Sequence, residues 1–417
     1  MPMGTSVSTP LRRCAASPLS GAPSALGGGT ASWAGEAGPS LPLDGGTSHA
    51  TCFLLSRRQW LAAAAALSLA PAWAAPPARA TRLISAWQTP SEHHIGVIEV
   101  DGARWSVQRS LAVPTRAHGL LLEAGGSVLA AARRPGDWLL RWHPANGQTQ
   151  WHWIEDDRRF NGHAIASPDG QTLWTTETDL DTALGRLATR DLKTLEKQAE
   201  WPTQGMDPHE LIVLPQRVGE IPAGSLLVAN GGIPTLPETG RSKRQLDRMD
   251  ASLVALNPRD GTVLGQWRLD DPYLSIRHLA WDQVSHTVGI ALQAEHPDAD
   301  AKRRAPVFAV WNGQRLQAAQ AQPVVQGYGG DICALPEGGF VVSCPRADAL
   351  ALFGADARWS QNLAHREAYA LAADQGHWWA SGAEGVWCAP EGTEARASVR
   401  AGERLQIDNH WAVWPQA

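Results

Sequence analysis

The sequence from residue 162 to residue 170 reads Gly-His-Ala-Ile-Ala-Ser-Pro-Asp-Gly, and residues 171–176 continue with Gln-Thr-Leu-Trp-Thr-Thr. The first apolar run predicts a short strand, and Pro-Asp-Gly supplies residues that are typical of a tight turn. A second strand follows at once, so the two strands are expected to form a β-hairpin. A polar residue, His163, stands seven positions before the glycine that ends the turn.

This pattern of a leading polar residue, a strand and a turn recurs along the chain. The leading residues are His118, His163, His209, His278, Asp331, Tyr369 and His410. From His118 to Tyr369, successive leading residues are between 38 and 69 positions apart. Repeats of about 40–50 residues that consist of short strands are typical of the blades of β-propellers.

The repeats predict an all-β protein, a seven-bladed β-propeller that occupies residues 81–417. Six blades begin with a leading residue. The predicted strands 83–87, 95–100 and 105–113 have no inner strand before them, and strand 410–414 has no blade of its own. We therefore predict that the C-terminal strand pairs with the N-terminal strands. This pairing completes the seventh blade and removes the exposed sheet edges of an open array.

The composition is that of a folded protein with a large core. The chain has 417 residues, 20 tryptophans and a net charge of −5. This slightly acidic balance argues against nucleic acid as a partner. Beyond the N-terminal leader, no stretch is apolar enough to span a membrane.

The first 80 residues differ from the rest of the chain. Residues 1–52 are rich in Ala, Gly, Ser and Pro, and we interpret them as disordered or as the product of a misassigned start codon. Arg57 and Arg58 precede an apolar run at residues 61–72, as in a twin-arginine export signal. A buried amphipathic helix is the alternative for this run. The export signal predicts that the mature protein is periplasmic.

Three cysteines follow the leader. Cys333 and Cys344 are equidistant from the centre of the turn at Glu337-Gly338-Gly339, so on a hairpin they would face each other. The periplasm is oxidising, and such a pair could form a disulfide there. Two free buried thiols are the alternative.

One connection is longer than the others. Residues 231–249 separate two strands of one blade and contain a basic cluster: Arg241, Lys243, Arg244 and Arg248. Insertions of this size are often functional or mobile. A solvated charged loop is the alternative, and a docking surface for a partner protein is the functional interpretation.

In a propeller, the first strand of each blade lines the central channel, so equivalent positions converge on one axis. Five of the seven leading residues are histidine, although the chain has only 14 histidines. Together with Asp331 and Tyr369, the neutral imidazoles could bind a transition metal such as iron, copper or zinc. In the alternative interpretation, each histidine only ties its strand to a neighbouring loop. We predict metal ligands at His118, His163, His209, His278, Asp331 and His410.

Further candidates stand near the same positions. Arg116 and Arg277 could neutralise an anionic ligand, Glu177 could supply a carboxylate, and Asn230 begins a glycine-rich loop that could approach a ligand. Together with Tyr369 they form a predicted ligand-binding set. No Walker loop, His-Glu-x-x-His helix, haem-attachment motif or Gly-x-Ser-x-Gly elbow occurs, which disfavours several common enzyme classes.

Several segments resemble domain-of-unknown-function family 1513, and the likeness covers residues 82–415. They are residues 162–163, 167–170, 176–177, 208–210, 228–233, 240–241 and 275–279, together with Met249. The resemblance implies a twin-arginine-exported periplasmic propeller that is encoded beside imelysin-type iron-uptake proteins. It therefore implies a role in periplasmic iron acquisition, with those proteins as partners.

These observations lead to three hypotheses. The first is a non-enzymatic exported propeller that binds a metal ion, iron or copper, or a metal-bearing ligand at the histidine-ringed channel mouth. The second is a propeller-type oxidoreductase or hydrolase in which a histidine acts as general base. The third is a protein-interaction scaffold whose histidines are structural.

Overall fold

The computed structural model describes residues 80–101, 104–234, 245–374, 376–383, 385–389, 393–397 and 405–414. The predicted export signal with Arg57 and Arg58 lies outside these residues, as do three members of the basic cluster, Arg241, Lys243 and Arg244. The fourth member, Arg248, ends a short 3-10 helix, Leu246–Arg248.

The described residues form 28 strands and little helix. The first three strands are β1 (Thr81–Gln88), β2 (His93–Asp101) and β3 (Arg104–Val113). Five groups of four strands follow: β4 (Ala117–Leu122), β5 (Val128–Ala132), β6 (Trp138–Trp142) and β7 (Thr149–Trp153); β8 (Arg158–Ala166), β9 (Thr172–Asp179), β10 (Gly185–Asp191) and β11 (Lys197–Pro202); β12 (Pro208–Val213), β13 (Leu226–Asn230), β14 (Ser252–Leu256) and β15 (Val263–Trp267); β16 (Leu274–Asp282), β17 (Thr287–Ala294), β18 (Phe308–Trp311) and β19 (Leu316–Ala318); β20 (Ile332–Ala334), β21 (Phe340–Cys344), β22 (Ala349–Phe353) and β23 (Trp359–Ala364). The last five are β24 (Leu371–Asp374), β25 (His377–Gly382), β26 (Gly385–Ala389), β27 (Thr393–Ala397) and β28 (Gln406–Trp414).

One short α-helix, α1 (Ala299–Arg304), interrupts the strands between β17 and β18. The side chain of Asp298 caps its first turn by accepting a hydrogen bond from the Ala301 amide. Neither helix in the described part of the chain has the length and apolar character that crossing a membrane requires.

The hairpin that the sequence predicts at residues 162–176 is present as β8 and β9. The amide of Gly170 donates to the carbonyl of Ser167 at 2.9 Å and closes the turn. Gly170 has a φ of +69°, which glycine adopts without steric cost. The Pro-Asp-Gly sequence therefore ends one strand and begins the next, as predicted.

Each group of four strands forms one antiparallel sheet in which chain neighbours are also sheet neighbours. The remaining eight strands form a sheet that closes on itself, in the order β1-β2-β3-β27-β26-β25-β24-β28. Within it, β28 pairs antiparallel with β1. This pairing confirms the prediction that the C-terminal strand joins the N-terminal strands.

The first strands of the sheets contact one another in a ring. The contacts run β4–β8–β12–β16–β20–β24–β28 and return to β4. Apolar side chains fill the space between adjacent sheets; for example, Leu129 and Leu139 of one sheet pack with Phe160 and Leu173 of the next. Burial of each such side chain contributes about 1.5–3 kcal/mol. The fold is therefore all-β and β-propeller-like, with the core between the sheets and the inner strands around one axis.

The two cysteines of the β20–β21 hairpin do not face each other. Cys333 lies opposite Val341, whereas Cys344 lies opposite Ala349 of the next strand. The turn closes through the amide of Gly338 and the carbonyl of Leu335, which moves the centre of the hairpin toward β20. Both thiols are buried and free. The predicted facing geometry is wrong, and the alternative of two free buried thiols is what the structure has.

Candidate functional site

The histidine-bearing inner strands are irregular where their histidines occur. The β-pairing shifts register between Ala117 and Leu120, between Phe160 and Ala164, between Pro208 and Leu211, between Ile276 and His278, and on β28 opposite Ser85 to Trp87. A β-bulge turns a side chain out of the regular alternation of a strand. These five irregularities therefore set the direction of His118, His163, His209, His278 and His410.

The five imidazoles converge on one place. The ring centroid of His118 lies 4.8 Å from that of His163, 5.3 Å from that of His209 and 4.6 Å from that of His410. The rings of His278 and His410 have centroids 4.4 Å apart. Strands that are far apart in the sequence thus deliver their histidines to a single cluster, which we call the histidine cluster.

The ring nitrogens of the cluster approach one another to distances that suit metal ligands. The Nε2 atom of His209 lies 3.4 Å from Nε2 of His118 and 3.3 Å from Nε2 of His278. Two nitrogens bound at about 2.0–2.1 Å to one tetrahedral ion are about 3.3–3.4 Å apart. One nitrogen from each of His118, His163, His278 and His410 also lies within 4.8 Å of the others.

The cluster is buried and contains ring nitrogens without partners. His118, His163, His209 and His278 are between 1% and 6% exposed, and the His410 side chain is 12% exposed. Among the described residues, neither Nε2 of His163 nor Nε2 of His410 has a hydrogen-bond partner. Buried polar atoms are almost always hydrogen-bonded, so an orphaned pair at one place points to a ligand.

Three carboxylates stand behind the histidines. Glu210 faces two of the rings, with Oε2 at 3.4 Å from Nδ1 of His278 and Oε1 at 4.0 Å from Nδ1 of His163. Asp408 lies 3.6 Å from Nδ1 of His118. Metal-binding histidines commonly direct the other ring nitrogen toward such a carboxylate, which fixes the orientation of the ring.

Asp331 is the third carboxylate, and the structure places it behind His410. Its Oδ1 lies 3.1 Å from Nδ1 of His410 and accepts the amide of Ile332. Its Oδ2 accepts the amide of Leu371 at 2.8 Å. Both oxygens are thus occupied, so Asp331 orients a histidine and holds two strands together.

Burial makes most of the cluster neutral. It lowers the pKa of His118, His163, His209 and His278 well below the usual value, and neighbouring histidines lower each pKa further. Burial also acts to lower the pKa of His410. The charge and hydrogen bond of Asp331 outweigh it, with help from Glu210 and Asp408, and raise that pKa overall. Neutral imidazoles are the form that binds transition metals.

The other predicted ligand residues have different surroundings. Arg116 pairs with Asp408 at 2.7 Å, beside the cluster. Tyr369 is half-buried in the wall of a cavity that Arg116 also lines. Arg277 is 1% exposed and lies 2.8 Å from Asp207, and burial lowers its pKa to about 10.

Two predicted residues are held in the protein interior by other partners. Glu177 is fully buried, and its Oε1 accepts hydrogen bonds from Arg190 at 2.7 Å and from Thr175 at 2.6 Å. Asn230 donates to the carbonyl of Thr203 at 2.8 Å. The structure therefore gives these two side chains roles between strands and does not bring them into the histidine cluster.

Gly162 makes room for the cluster. Its φ is +103°, and a Cβ added there would lie 2.7 Å from Cδ2 of His118. That distance is shorter than Cβ atoms tolerate, so a side chain at residue 162 would displace the ring. The Gly-His pair at residues 162–163 thus supplies one ligand candidate and the space for its neighbour.

Sequence reasoning missed Glu210, Asp408 and Arg133. Asp408 stands two positions before His410, so strand alternation could have suggested that they share a face. Glu210 directly follows His209, and alternation places adjacent residues on opposite faces, so no strand pattern indicates its contacts with His163 and His278. Arg133 donates to Asp408 at 2.8 Å from a loop that follows β5. No spacing in the sequence indicates that contact, because it depends on how two sheets meet.

The arrangement fits a transition-metal ion. Imidazole nitrogens suit zinc, copper and iron, and the cluster offers several of them in neutral form. His118, His163, His278 and His410 would hold the ion, with His209 beside His118 and His278, and Glu210, Asp331 and Asp408 would orient the rings. The ion would supply a positive charge at the centre of the cluster.

Comparison with known proteins places the chain in a family. No curated protein matches the sequence. Among solved structures, a virginiamycin B lyase from Staphylococcus aureus is similar, with a TM-score of 0.47, 10% identity, and coverage of 72% of this chain and 84% of that chain. A streptogramin B lyase has a TM-score of 0.47, 12% identity, and coverage of 72% and 85%. Neither likeness bears on activity. The model of a family described as "Protein of unknown function (DUF1513)" matches residues 111–414, most of the chain, and the protein therefore belongs to that family.

Proposed function

We propose that this protein is an exported periplasmic β-propeller that binds a transition-metal ion, iron or copper, at the histidine cluster and serves as an accessory of iron acquisition. One observation carries the metal site. Five imidazoles from five inner strands converge in a buried place where Nε2 of His163 and Nε2 of His410 have no hydrogen-bond partner among the described residues.

The proposed propeller has seven blades. Five are the separate four-stranded sheets. The closed eight-stranded sheet divides into two more, β28-β1-β2-β3 and β24-β25-β26-β27, because the strands within each half pair antiparallel. Among the described residues, only short parallel contacts join the halves, at Leu371 with His410 and at Arg396–Ala397 with Arg104–Trp105. The ring of seven inner strands supports this count.

The cellular role rests on the sequence. The paired arginines at 57 and 58 before an apolar run support export by the twin-arginine pathway. The family resemblance supports iron acquisition, with periplasmic imelysin-type iron-uptake proteins as partners. In such a role, the cluster would hold a metal ion or a metal-bearing ligand during its passage through the periplasm.

The test is the metal content of the full chain, purified after export from metal-replete cells. We expect about one bound ion per chain or more, identified by inductively coupled plasma mass spectrometry. His163→Ala and His278→Ala should lose most of it. His377→Ala is the matched control, because His377 is an exposed histidine of β25 outside the cluster, and it should keep the metal.

Thermal unfolding separates a metal site from structural histidines. A bound ion stabilises the folded state by mass action, so added metal should raise the unfolding temperature of the native protein and of His377→Ala. Added metal should leave the unfolding temperature of His163→Ala unchanged. A native protein that stays metal-free in metal-replete cells and shows no such shift would contradict the proposal.

A further inference from the structure

A polar cavity opens beside the histidine cluster. Its volume is about 540 Å³, within the range of small-molecule sites. Its walls carry hydrogen-bond donors from two strands and four loops: Gln88, Asn409, Arg116, Arg133, Tyr328 and Tyr369. The cavity adjoins the cluster through Arg116 and Arg133, because their partner Asp408 lies 3.6 Å from Nδ1 of His118.

Two guanidinium groups dominate the charge of this cavity. Arg116 and Arg133 converge on the carboxylate of Asp408, with N–O distances of 2.7 Å and 2.8 Å. A guanidinium has five N–H donors, so each arginine keeps donors beyond those that Asp408 accepts. Two cations share one carboxylate here, and positive charge remains for a ligand.

Two phenols add neutral donors. The chain has only three tyrosines, and two of them, Tyr328 and Tyr369, line this cavity. Burial raises the pKa of Tyr369, so its hydroxyl stays protonated and able to donate at neutral pH. The guanidinium of Arg346 lies 4.0 Å from the ring centre of Tyr328 and brings a third cation nearby.

Acidic groups offset this charge only in part. Glu367 also lines the cavity and is half-buried. Asp408 is turned to the two arginines and, at 3.6 Å, to His118. Two arginines, Arg116 and Arg133, and one carboxylate, Glu367, line the cavity, whereas Asp408 and Arg346 lie behind the lining. Donors predominate in the cavity wall, which favours a ligand that is anionic and rich in oxygen acceptors.

We infer that this cavity binds a small polyvalent oxyanion, a polycarboxylate or a phosphate, held by Arg116, Arg133, Tyr328 and Tyr369. Arginine recognises the paired oxygens of both groups in bidentate geometry. Binding of the anion follows from the cavity and does not require the metal.

The experiment uses isothermal titration calorimetry of the metal-free full chain with citrate and, separately, with inorganic phosphate, at low ionic strength. We expect saturable binding at one site for at least one anion, and the better ligand identifies the class. Arg116→Gln should weaken it about 10-fold or more, because a charged hydrogen bond is lost. Tyr369→Phe should weaken it about 3-fold or more, because only a neutral hydrogen bond is lost.

Two controls keep the result specific. Arg358→Gln removes the same charge at a side chain that is 87% exposed, and it should bind the anion as the native protein does. His377→Ala, at an exposed histidine outside both the cavity and the cluster, should also keep anion binding in the metal-free protein. Circular dichroism checks that each variant is folded.

The inference fails if neither anion binds the native protein at millimolar concentration. It also fails if Arg116→Gln and Arg358→Gln weaken binding equally, which would indicate non-specific charge, or if His377→Ala abolishes binding. Since the anion is titrated without metal, a failure here is distinct from a failure of the proposed metal site.

Discussion

Glu210 is shared by two histidines of the cluster. Its carboxylate faces Nδ1 of His278 and Nδ1 of His163, and it accepts the amide of Leu279 at 2.7 Å. A single side chain thus helps to orient two rings from different sheets. Its role would be that of a positioning residue, because it reaches the metal only through the histidines.

We expect Glu210→Gln to weaken metal binding by about 10–100-fold, the usual effect of losing a carboxylate behind a histidine ligand. The amide oxygen of glutamine can still accept from Leu279, so the fold should remain. Competition with a chromophoric chelator measures the affinity. Glu220→Gln, at an exposed position, is the control. Equal affinities of the two variants would contradict the assigned role.

Gly162 offers a second residue-scale prediction. Gly162→Ala should destabilise the fold by about 1–3 kcal/mol, because alanine is strained at its φ of +103°. It should also lower metal binding, because the added Cβ meets the ring of His118. Denaturant unfolding and metal content measure the two effects.

Gly147→Ala is the control that distinguishes backbone strain from contact of the added Cβ with the ring of His118. Gly147 also has a positive φ, +77°, but a Cβ there would meet no described atom within 4 Å. This variant should lose stability and keep its metal. If both variants keep the metal equally, Gly162 is not needed for the cluster.

At the scale of single elements, the bulges of the inner strands distinguish this structure from regular hairpins. Each of the five histidines lies at an irregular pairing, and the irregularities differ in length. The leading position in a repeat predicts that a residue lies near the axis. Only the bulge sets where its side chain points.

This difference explains how far the sequence could predict the site. The hairpins, the C-terminal closure and the histidines follow from local turn chemistry and from repetition, both visible in one chain. Glu210 and Asp408 act across strands of different sheets, so their contacts depend on register and packing. Glu177 also shows the limit, because its long-range partner Arg190 decides where its carboxylate lies.

The β20–β21 hairpin makes a prediction about reduction. Cys333 and Cys344 are buried, free and out of register with each other. Dithiothreitol should therefore leave the unfolding temperature of the folded domain unchanged. Loss of a native disulfide typically costs about 2–5 kcal/mol, so a fall of several degrees on reduction would contradict this register.

At the scale of the whole molecule, the strand that closes the ring also completes the histidine cluster. Strand β28 pairs with β1 and carries both His410 and Asp408. Strand β28 therefore closes the sheet against β1 and brings one histidine and one orienting carboxylate to the other four histidines. The site exists only when all inner strands are in place.

The pH dependence of stability follows from the cluster. Four histidines have a lower pKa in the folded protein than in the unfolded chain. Below about pH 6.5 the unfolded chain therefore binds protons at these histidines, whereas the folded protein does not. The free energy of unfolding therefore decreases as the pH is lowered, by up to about 1.4 kcal/mol per pH unit for each proton. His410 has a raised pKa and acts in the opposite direction, but four groups outweigh one.

We therefore expect the metal-free protein to lose unfolding temperature between about pH 7.5 and pH 5.5. His163→Gln removes one of the four titrating groups, so its unfolding temperature should fall less over the same pH interval. Differential scanning fluorimetry at constant ionic strength measures both. A steeper loss in the variant than in the native protein would contradict the assignment.

The most direct test of the central claim is X-ray absorption spectroscopy at the metal edge of the protein loaded with its ion. A site built by the converging imidazoles predicts nitrogen neighbours at about 2.0–2.1 Å, together with the outer-shell scattering of several histidine rings. A spectrum with oxygen neighbours and no imidazole scattering would show that the ion binds elsewhere, and it would contradict the account.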